Sequence, residues 1–176
     1  MFSKIFVVTL LFGAAYSRVL QVQNIASVPL VVSITGQDDV TVLPKTMVLV
    51  TVEEDFSGTI SAIPSNAENA DIPTTKVQLT LSPAGDSYAV SLIDGFNLKA
   101  KIVPIQGINC SAAVCFADLI SKCPLENRVI NSFNVTVACS NSPLVFRTIC
   151  PRAVVSSEDV TKVLRCQAIS YNIFLG

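Results

Sequence analysis

The sequence predicts a mainly β, sandwich-like domain carrying a small helical, disulfide-linked region, and three observations lead there. Apolar and polar residues alternate in many strand-length runs, turn-forming Gly, Pro, Asn and Asp separate those runs, and all six cysteines lie beyond residue 109. Period-two alternation puts one apolar face on a core. Many short strands with punctuating turns argue for a β-sandwich over βαβ units. The mean hydropathy of +0.57 comes only partly from the N-terminal residues. The rest is Val, Ile and Leu in strands, a buried-sheet composition and not a disordered one.

Residues 1–17 read as a secretory leader. Lys4 gives a basic start, Ile5 to Ala15 an apolar stretch too short to span a bilayer, and Ala15-Tyr16-Ser17 a small-residue exit. The expected mature chain is a single domain, 18–176, exported from the cell. Without the leader 11 basic residues face 13 acidic ones, a net charge of −2. Nucleic acid and anionic membrane surfaces are therefore poor partners. No later apolar run approaches a membrane span, and a monomer is expected.

Leu20 and Val22 alternate with Gln21 and Gln23 in a first strand with one wet face. Val28 to Ile34 gives a second, where Pro29 implies an edge or a bulge. Val40–Leu43 and Met47–Val52 follow, split by Pro44-Lys45, then Thr59–Ile63 after the turn Asp55-Phe56-Ser57-Gly58. Residues 64–75 are a polar loop, and Lys76–Ser82 returns to period two. The central stretch, Ser87–Ile105, reads as a hairpin about the turn Asp94-Gly95-Phe96-Asn97. From Ser111 to Lys122, Cys115, Leu119 and Cys123 fall at i, i+4, i+8, which predicts a helix capped by Ser111 and closed by Cys123-Pro124. Leu144–Ile149 is ambiguous between helix and strand. Val160–Leu164 and Ile169–Phe174 read as closing strands.

Six cysteines in an exported chain imply three disulfides, and spacing leaves 15 connectivities open. A metal site is the rival reading, but the thiols lack ligand-pair spacing and the chain has no histidine. No metal or other cofactor is expected. Asn109-Cys110-Ser111 and Asn134-Val135-Thr136 are glycosylation sequons, Asn134 the better placed because Asn109 abuts a cysteine.

The segment Tyr88-Ala89-Val90-Ser91-Leu92-Ile93-Asp94-Gly95-Phe96-Asn97 resembles the YDVSLVDGFN signature of thaumatin-like proteins. Cys110, Cys115-Phe116-Ala117-Asp118-Leu119 to Cys123-Pro124, and Cys150-Pro151 continue the likeness, as do Val22-Gln23-Asn24 and Leu43-Pro44 followed by Val48 to Gly58, with Phe56 in place of a Trp. The resemblance implies a thaumatin-like sandwich and the nested pairing Cys110–Cys166, Cys115–Cys150 and Cys123–Cys139. A further family bridge has no counterpart, since Ala26-Ser27 and Phe174-Leu175-Gly176 stand where its cysteines would be. The 64–75 loop replaces a longer multi-cysteine segment, so the chain resembles a shortened, bridge-poor form.

The family's candidate chemistry is an acidic cleft. Glycoside hydrolysis needs two carboxyl groups, an acid and a base or nucleophile, about 5–9.5 Å apart. By the resemblance, three cleft positions have lost their charged groups: Thr59 stands for the Arg, Gln78 for the Glu and Ala89 for the Asp after Tyr88. Asp94 remains, and its plainer reading is a turn residue bonded to nearby backbone amides. Glu158 and Asp159 read as a solvated acidic pair. Without histidine neither Ser-His-Asp nor Cys-His catalysis is open. The expectation is a secreted, non-enzymatic protein of defence or host–pathogen interaction, with no catalytic residues. Its ligand would be a cell-wall polysaccharide such as β-glucan, or a secreted protein. The alternatives are an inhibitor of a secreted glycoside hydrolase, an effector, or a weak endo-β-1,3-glucanase.

Overall fold

The computed structural model describes residues 17–68 and 71–176. The expected leader, apart from Ser17, lies outside them. The strands run in order β1 (Ser17–Asn24), β2 (Leu30–Ile34), β3 (Val40–Val42), β4 (Met47–Glu53), β5 (Ser57–Pro64), β6 (Lys76–Thr80), β7 (Asp86–Ser91), β8 (Ala100–Ile105), β9 (Ala113–Cys115), β10 (Arg128–Ile130), β11 (Thr136–Cys139), β12 (Leu164–Cys166) and β13 (Ser170–Leu175). One α-helix, α1 (Pro143–Ile149), and short 3₁₀ turns complete the described chain.

Two sheets form the sandwich, with strand orders β4-β1-β13-β8-β9 and β12-β7-β6-β5-β2-β3, and a β10-β11 hairpin stands apart. Alternation sets their inner faces. Leu20, Val22, Ile102, Tyr171 and Ile173 from the first sheet meet a core that includes Leu30, Val32, Ile60, Val77, Leu79 and Val90 from the second, all at or near zero exposure. Each such aliphatic side chain contributes ~1.5–3 kcal/mol by leaving water. Tyr88 and Tyr171 cross the core between the sheets, ring centroids 5.4 Å apart and tilted by 58°.

The structure corrects four sequence expectations. Ser87–Ile105 is no hairpin: β7 and β8 belong to opposite sheets, and the turn at 94–97 carries the chain across the sandwich. Local alternation is the same for a hairpin and a sheet-to-sheet crossover, so it could not tell them apart. Ser111–Lys122 is not a helix either. Ala113–Cys115 adds to β8 as the edge strand β9, and only Ile120–Lys122 makes a 3₁₀ turn. The i, i+4, i+8 spacing there reflects where cysteines meet their partners; Cys115 and Cys123 are buried in separate bridges. The helical element of the cross-linked region is instead α1, with Pro143 in its first turn, where a missing N–H costs nothing. Pro29 precedes β2, which is interior to its sheet between β5 and β3 and is no edge. Of the expected closing strands, Val160–Lys162 is a 3₁₀ turn, and β12 and β13 close the two sheets.

The three disulfides are Cys110–Cys166, Cys115–Cys150 and Cys123–Cys139, a nested set that ties α1, β9 and β12 into one unit. Parallel pairing of β1 with β13 sets the last strand between the first and β8.

Candidate functional site

The outer face of the six-stranded sheet carries the positions that the sequence pointed to. In the ladders of its central strands Thr59 lies opposite Gln78, and Gln78 opposite Ala89. The three lost cleft positions are thus one straight row across β5, β6 and β7. Val77 and Leu79 turn into the core, so Gln78 turns out. The row floors a shallow hollow of about 280 Å³, walled on one side by Val163. Ala89 is fully buried in that floor. A carboxylate there would lose its hydration without a charged partner among Thr59, Gln78 and Val163, a costly arrangement.

The groups beside the row are neutral hydroxyls. Ser57 Oγ and Thr80 Oγ1 lie 2.9 Å apart, and Thr59 N–H donates to Thr35 Oγ1 at 3.0 Å. Gly58 is required by this closeness, since a Cβ there would stand 2.5 Å from the Thr35 Cβ and 3.0 Å from the Phe56 ring. Phe56, at the Trp position of the family turn, packs on the glycine and on the core.

Asp94 is not in the row. It lies on the rim of a second hollow, about 510 Å³, with Asp39, Asp71, Lys76, Ser33 and Ser61. Where the sequence suggested local backbone bonding, the Asp94 carboxylate reaches to β6 and pairs with Lys76 Nζ at 2.6 Å. Both side chains are about a third to a half exposed, 34% and 53%, so solvent screens the pair. The Asp94 charge is matched by the neighbouring ammonium, and the other carboxylates of its hollow, Asp39 and Asp71, stand apart from the Thr59–Gln78–Ala89 row.

Asp159, read from sequence as solvated with Glu158, is a loop clamp. It accepts from the Val155 and Ser156 amides at 2.9 and 3.1 Å and faces Lys162 at 3.2 Å and Arg147 at 3.6 Å. The Val155 amide bond foremost, then the Lys162 contact, holds its carboxyl below the usual range against the opposing effect of burial. Glu158 is exposed.

The cross-linked region presents a different surface. Leu125, Ile130, Phe133, Val135 and Leu144 stand out from it, Phe133 at 79% exposure. Behind the β10–β11 hairpin an apolar groove of about 450 Å³ runs between it and residues 64–68, lined by Ile72, Leu98, Ile130, Phe133 and Val137. Glu68 clasps its rim: the Ser132 amide donates to Oε2 at 2.8 Å and the Ser132 hydroxyl to Oε1. Those two bonds, the hydroxyl first, keep the Glu68 carboxyl below its ordinary range. Asn134 is exposed at the hairpin tip with φ +58°, and Asn109, also exposed, sits next to the Cys110–Cys166 bridge with φ +56°. Nothing in the sequence signalled the groove, because its walls come from separate segments around Val28, Pro64, Asn97 and Val129.

Among the described residues no group of three or more Cys, Asp or Glu is placed to hold a metal ion, and no helix is long and apolar enough to cross a membrane.

A two-sheet sandwich with this bridge set and this sheet face defines a thaumatin-type β protein. The Thaumatin family model matches residues 57–175, and the chain belongs to that family. It is 32% identical over 146 residues to a thaumatin-like protein of Arabidopsis thaliana, covering 66% of this chain and 59% of the relative. It is 38% identical over 93 residues to thaumatin-like protein 1 of Prunus persica, covering 51% and 37%. Pathogenesis-related thaumatin-like protein 3.4 of Cryptomeria japonica is 35% identical over 74 residues, 41% of this chain and 29% of that one. The chain thus spans less than two thirds of the length of these relatives. Among solved structures, the protein elicitor MoHrip2 from Magnaporthe oryzae covers 90% of this chain and 98% of its own at 9% identity and a TM-score of 0.47, too remote to bear on function.

Proposed function

We propose that this is a secreted, non-catalytic recognition protein of defence or host–pathogen interaction, and that its ligand is a secreted protein. The observation that carries the reading is the row Thr59–Gln78–Ala89, where no acid or base remains and where the floor position is buried. The paired carboxyls that glycoside hydrolysis needs have no place there. Three disulfides in a chain of this size suit an oxidising compartment.

A protein ligand is favoured by the exposed apolar side chains of the cross-linked region. Ile130, Phe133, Val135 and Leu125 form a protruding surface held by two bridges, and an inhibitor of a secreted glycoside hydrolase would need such a rigid, presented loop. One observation favours the second reading, binding of a cell-wall β-glucan: the Ser57, Thr59, Gln78 and Thr80 face is rich in neutral hydrogen-bonding groups. Among the described residues that line it the one aromatic, Tyr88, is buried, so no ring lies open there to a sugar.

The test is a pull-down of the oxidised protein on insoluble β-1,3-glucan, chitin and xylan with released sugar assayed, alongside inhibition of secreted xylanases and glucanases. Inhibition lost in Phe133→Asp, with no polymer bound, is the expected result. Polymer bound without sugar release, and weakened by Gln78→Ala, would move the site to the sheet face. Sugar release abolished by Asp94→Ala would overturn the non-catalytic reading.

A further inference from the structure

Sheet edges among the described residues are short, with one exception. β3, β9 and β12, which end the two large sheets, have three residues each, and β9 and β12 finish at the disulfide cysteines Cys115 and Cys166. The hairpin strands β10 and β11 have three and four. β4 ends the five-stranded sheet with seven, and Met47-Val48-Leu49-Val50-Thr51-Val52 contains no charge, Pro or Gly. Protein edges are ordinarily blunted by shortness, charge, Pro, bulges or a cover, because an open edge is a template for another strand. β4 pairs with β1 without a register shift and has none of these devices before Glu53.

The free side of the strand can be read from the ladder. Asn24 N–H donates to Thr46 C=O at 3.0 Å, in register with the β1–β4 pairs. Alternation then directs the Val48, Val50 and Val52 backbone groups to β1, and those of Met47, Leu49 and Thr51 off the sheet; the Glu53 carbonyl accepts the Phe56 amide of the following turn at 3.1 Å. The side chains of Leu49 and Met47 are 65% and 48% exposed beside that edge.

We propose that β4 is a self-association edge, at which two copies of the chain pair β4 with β4 antiparallel about a two-fold axis at Val50. This centring alone uses the whole strand and sets outward groups against outward groups, Leu49 opposite Thr51 of the partner subunit; Met47 then falls opposite Glu53 of the partner subunit. A second copy fits better than an unrelated peptide for two reasons. An antiparallel pair of identical strands matches itself in length, register and face, which is what a closed two-fold interface requires. The strand's one charge, Glu53, also falls opposite Met47 and not opposite its own symmetry mate, so no like charges meet. The two five-stranded sheets become one continuous sheet, in place of the monomer that the sequence suggested.

The experiment is sedimentation equilibrium of the oxidised, full secreted chain from about 1 μM to about 1 mM, the range in which a single strand seam of modest affinity titrates. The weight-average mass should rise to that of a dimer and stop, and the Leu49 and Thr51 amides should gain protection from hydrogen exchange as concentration rises. Leu49→Lys places a charge on the edge, and Thr51→Pro deletes an outward N–H. Each should weaken the dimer at least about tenfold, or about 1.4 kcal/mol. A monomer throughout, growth beyond the dimer, or a dimer indifferent to both variants would overturn the proposal. Protection of the same amides by an added extended peptide, but not by concentration, would show that the edge takes a different occupant and overturn it as well.

Discussion

Arg18 and Asp86, 68 residues apart in the chain, meet at 2.6 Å with the Asp86 side chain wholly out of solvent. Tyr171 Oη donates to the same Asp86 oxygen at 2.7 Å, and the Ser82 amide to the other at 3.0 Å. One carboxylate thereby fastens the first strand, the last strand and the start of β7. Arg18→Ala should cost about 3–5 kcal/mol, because it strands a buried charge. Asp86→Asn, which keeps the shape and drops the charge, should cost less. Urea unfolding of the two variants checks the order.

Burial first, then the bond and charge of Asp86, raise the Tyr171 phenol far above its usual range, and burial raises Tyr88 as well. Above about pH 10 the unfolded chain ionises these phenols while the folded chain keeps them protonated. The folded state then binds more protons, so stability falls as pH rises, by about 1.4 kcal/mol per pH unit for Tyr171, with Tyr88 acting in the same direction. The contribution is fully present below pH ~10. Urea midpoints from pH 9 to 12 should show this fall, and Tyr171→Phe should make it shallower; a flat profile would contradict the raised phenols.

The bridges close loops with sequence separations of 16, 35 and 56. By the chain-entropy argument each is worth about 3–4 kcal/mol taken alone, rising with loop length. Nesting changes the order, since an intact Cys115–Cys150 bridge already shortens the loop that Cys110–Cys166 closes. Paired Cys→Ser variants at each bridge, made with the other two intact, should therefore lose similar amounts, and the triple variant less than the sum of the three values taken alone.

Gly95 has φ +117°, and a Cβ there would stand 2.4 Å from Pro73 and 2.7 Å from the Cys139 carbonyl oxygen. Gly95→Ala combines backbone strain with overpacking and should destabilise by about 2–4 kcal/mol. Gly36→Ala, at φ +75° with open space around it, carries strain alone and should lose less. Thermal melts of the two variants separate the effects.

Much of the sandwich was legible, because a strand's alternation is local: Val77 and Leu79 inward with Gln78 outward follows from β6 itself. The sheet to which a strand belongs is not local, and β7 and β8 were misjoined for that reason. The helix expected near Cys115 failed because disulfide geometry, not a helical face, sets the positions of cysteines there. The cysteine pairing came from family resemblance, since six thiols carry no order of their own. At the site, the loss of charge at Thr59, Gln78 and Ala89 was readable one residue at a time; their alignment in one row was not. Asp86 carried no signal of its own, because its partners Arg18 and Tyr171 lie 68 and 85 residues away in the chain.

The placement of β13 between β1 and β8 has a consequence for biosynthesis. During translation β1 and β4 can meet early, and β8 can emerge and wait, but the slot that joins them stays empty until Leu175 leaves the ribosome. Asp86 too lacks its Tyr171 partner until then. Until β13 slides into that slot, the two half-sheets must be shielded from other chains.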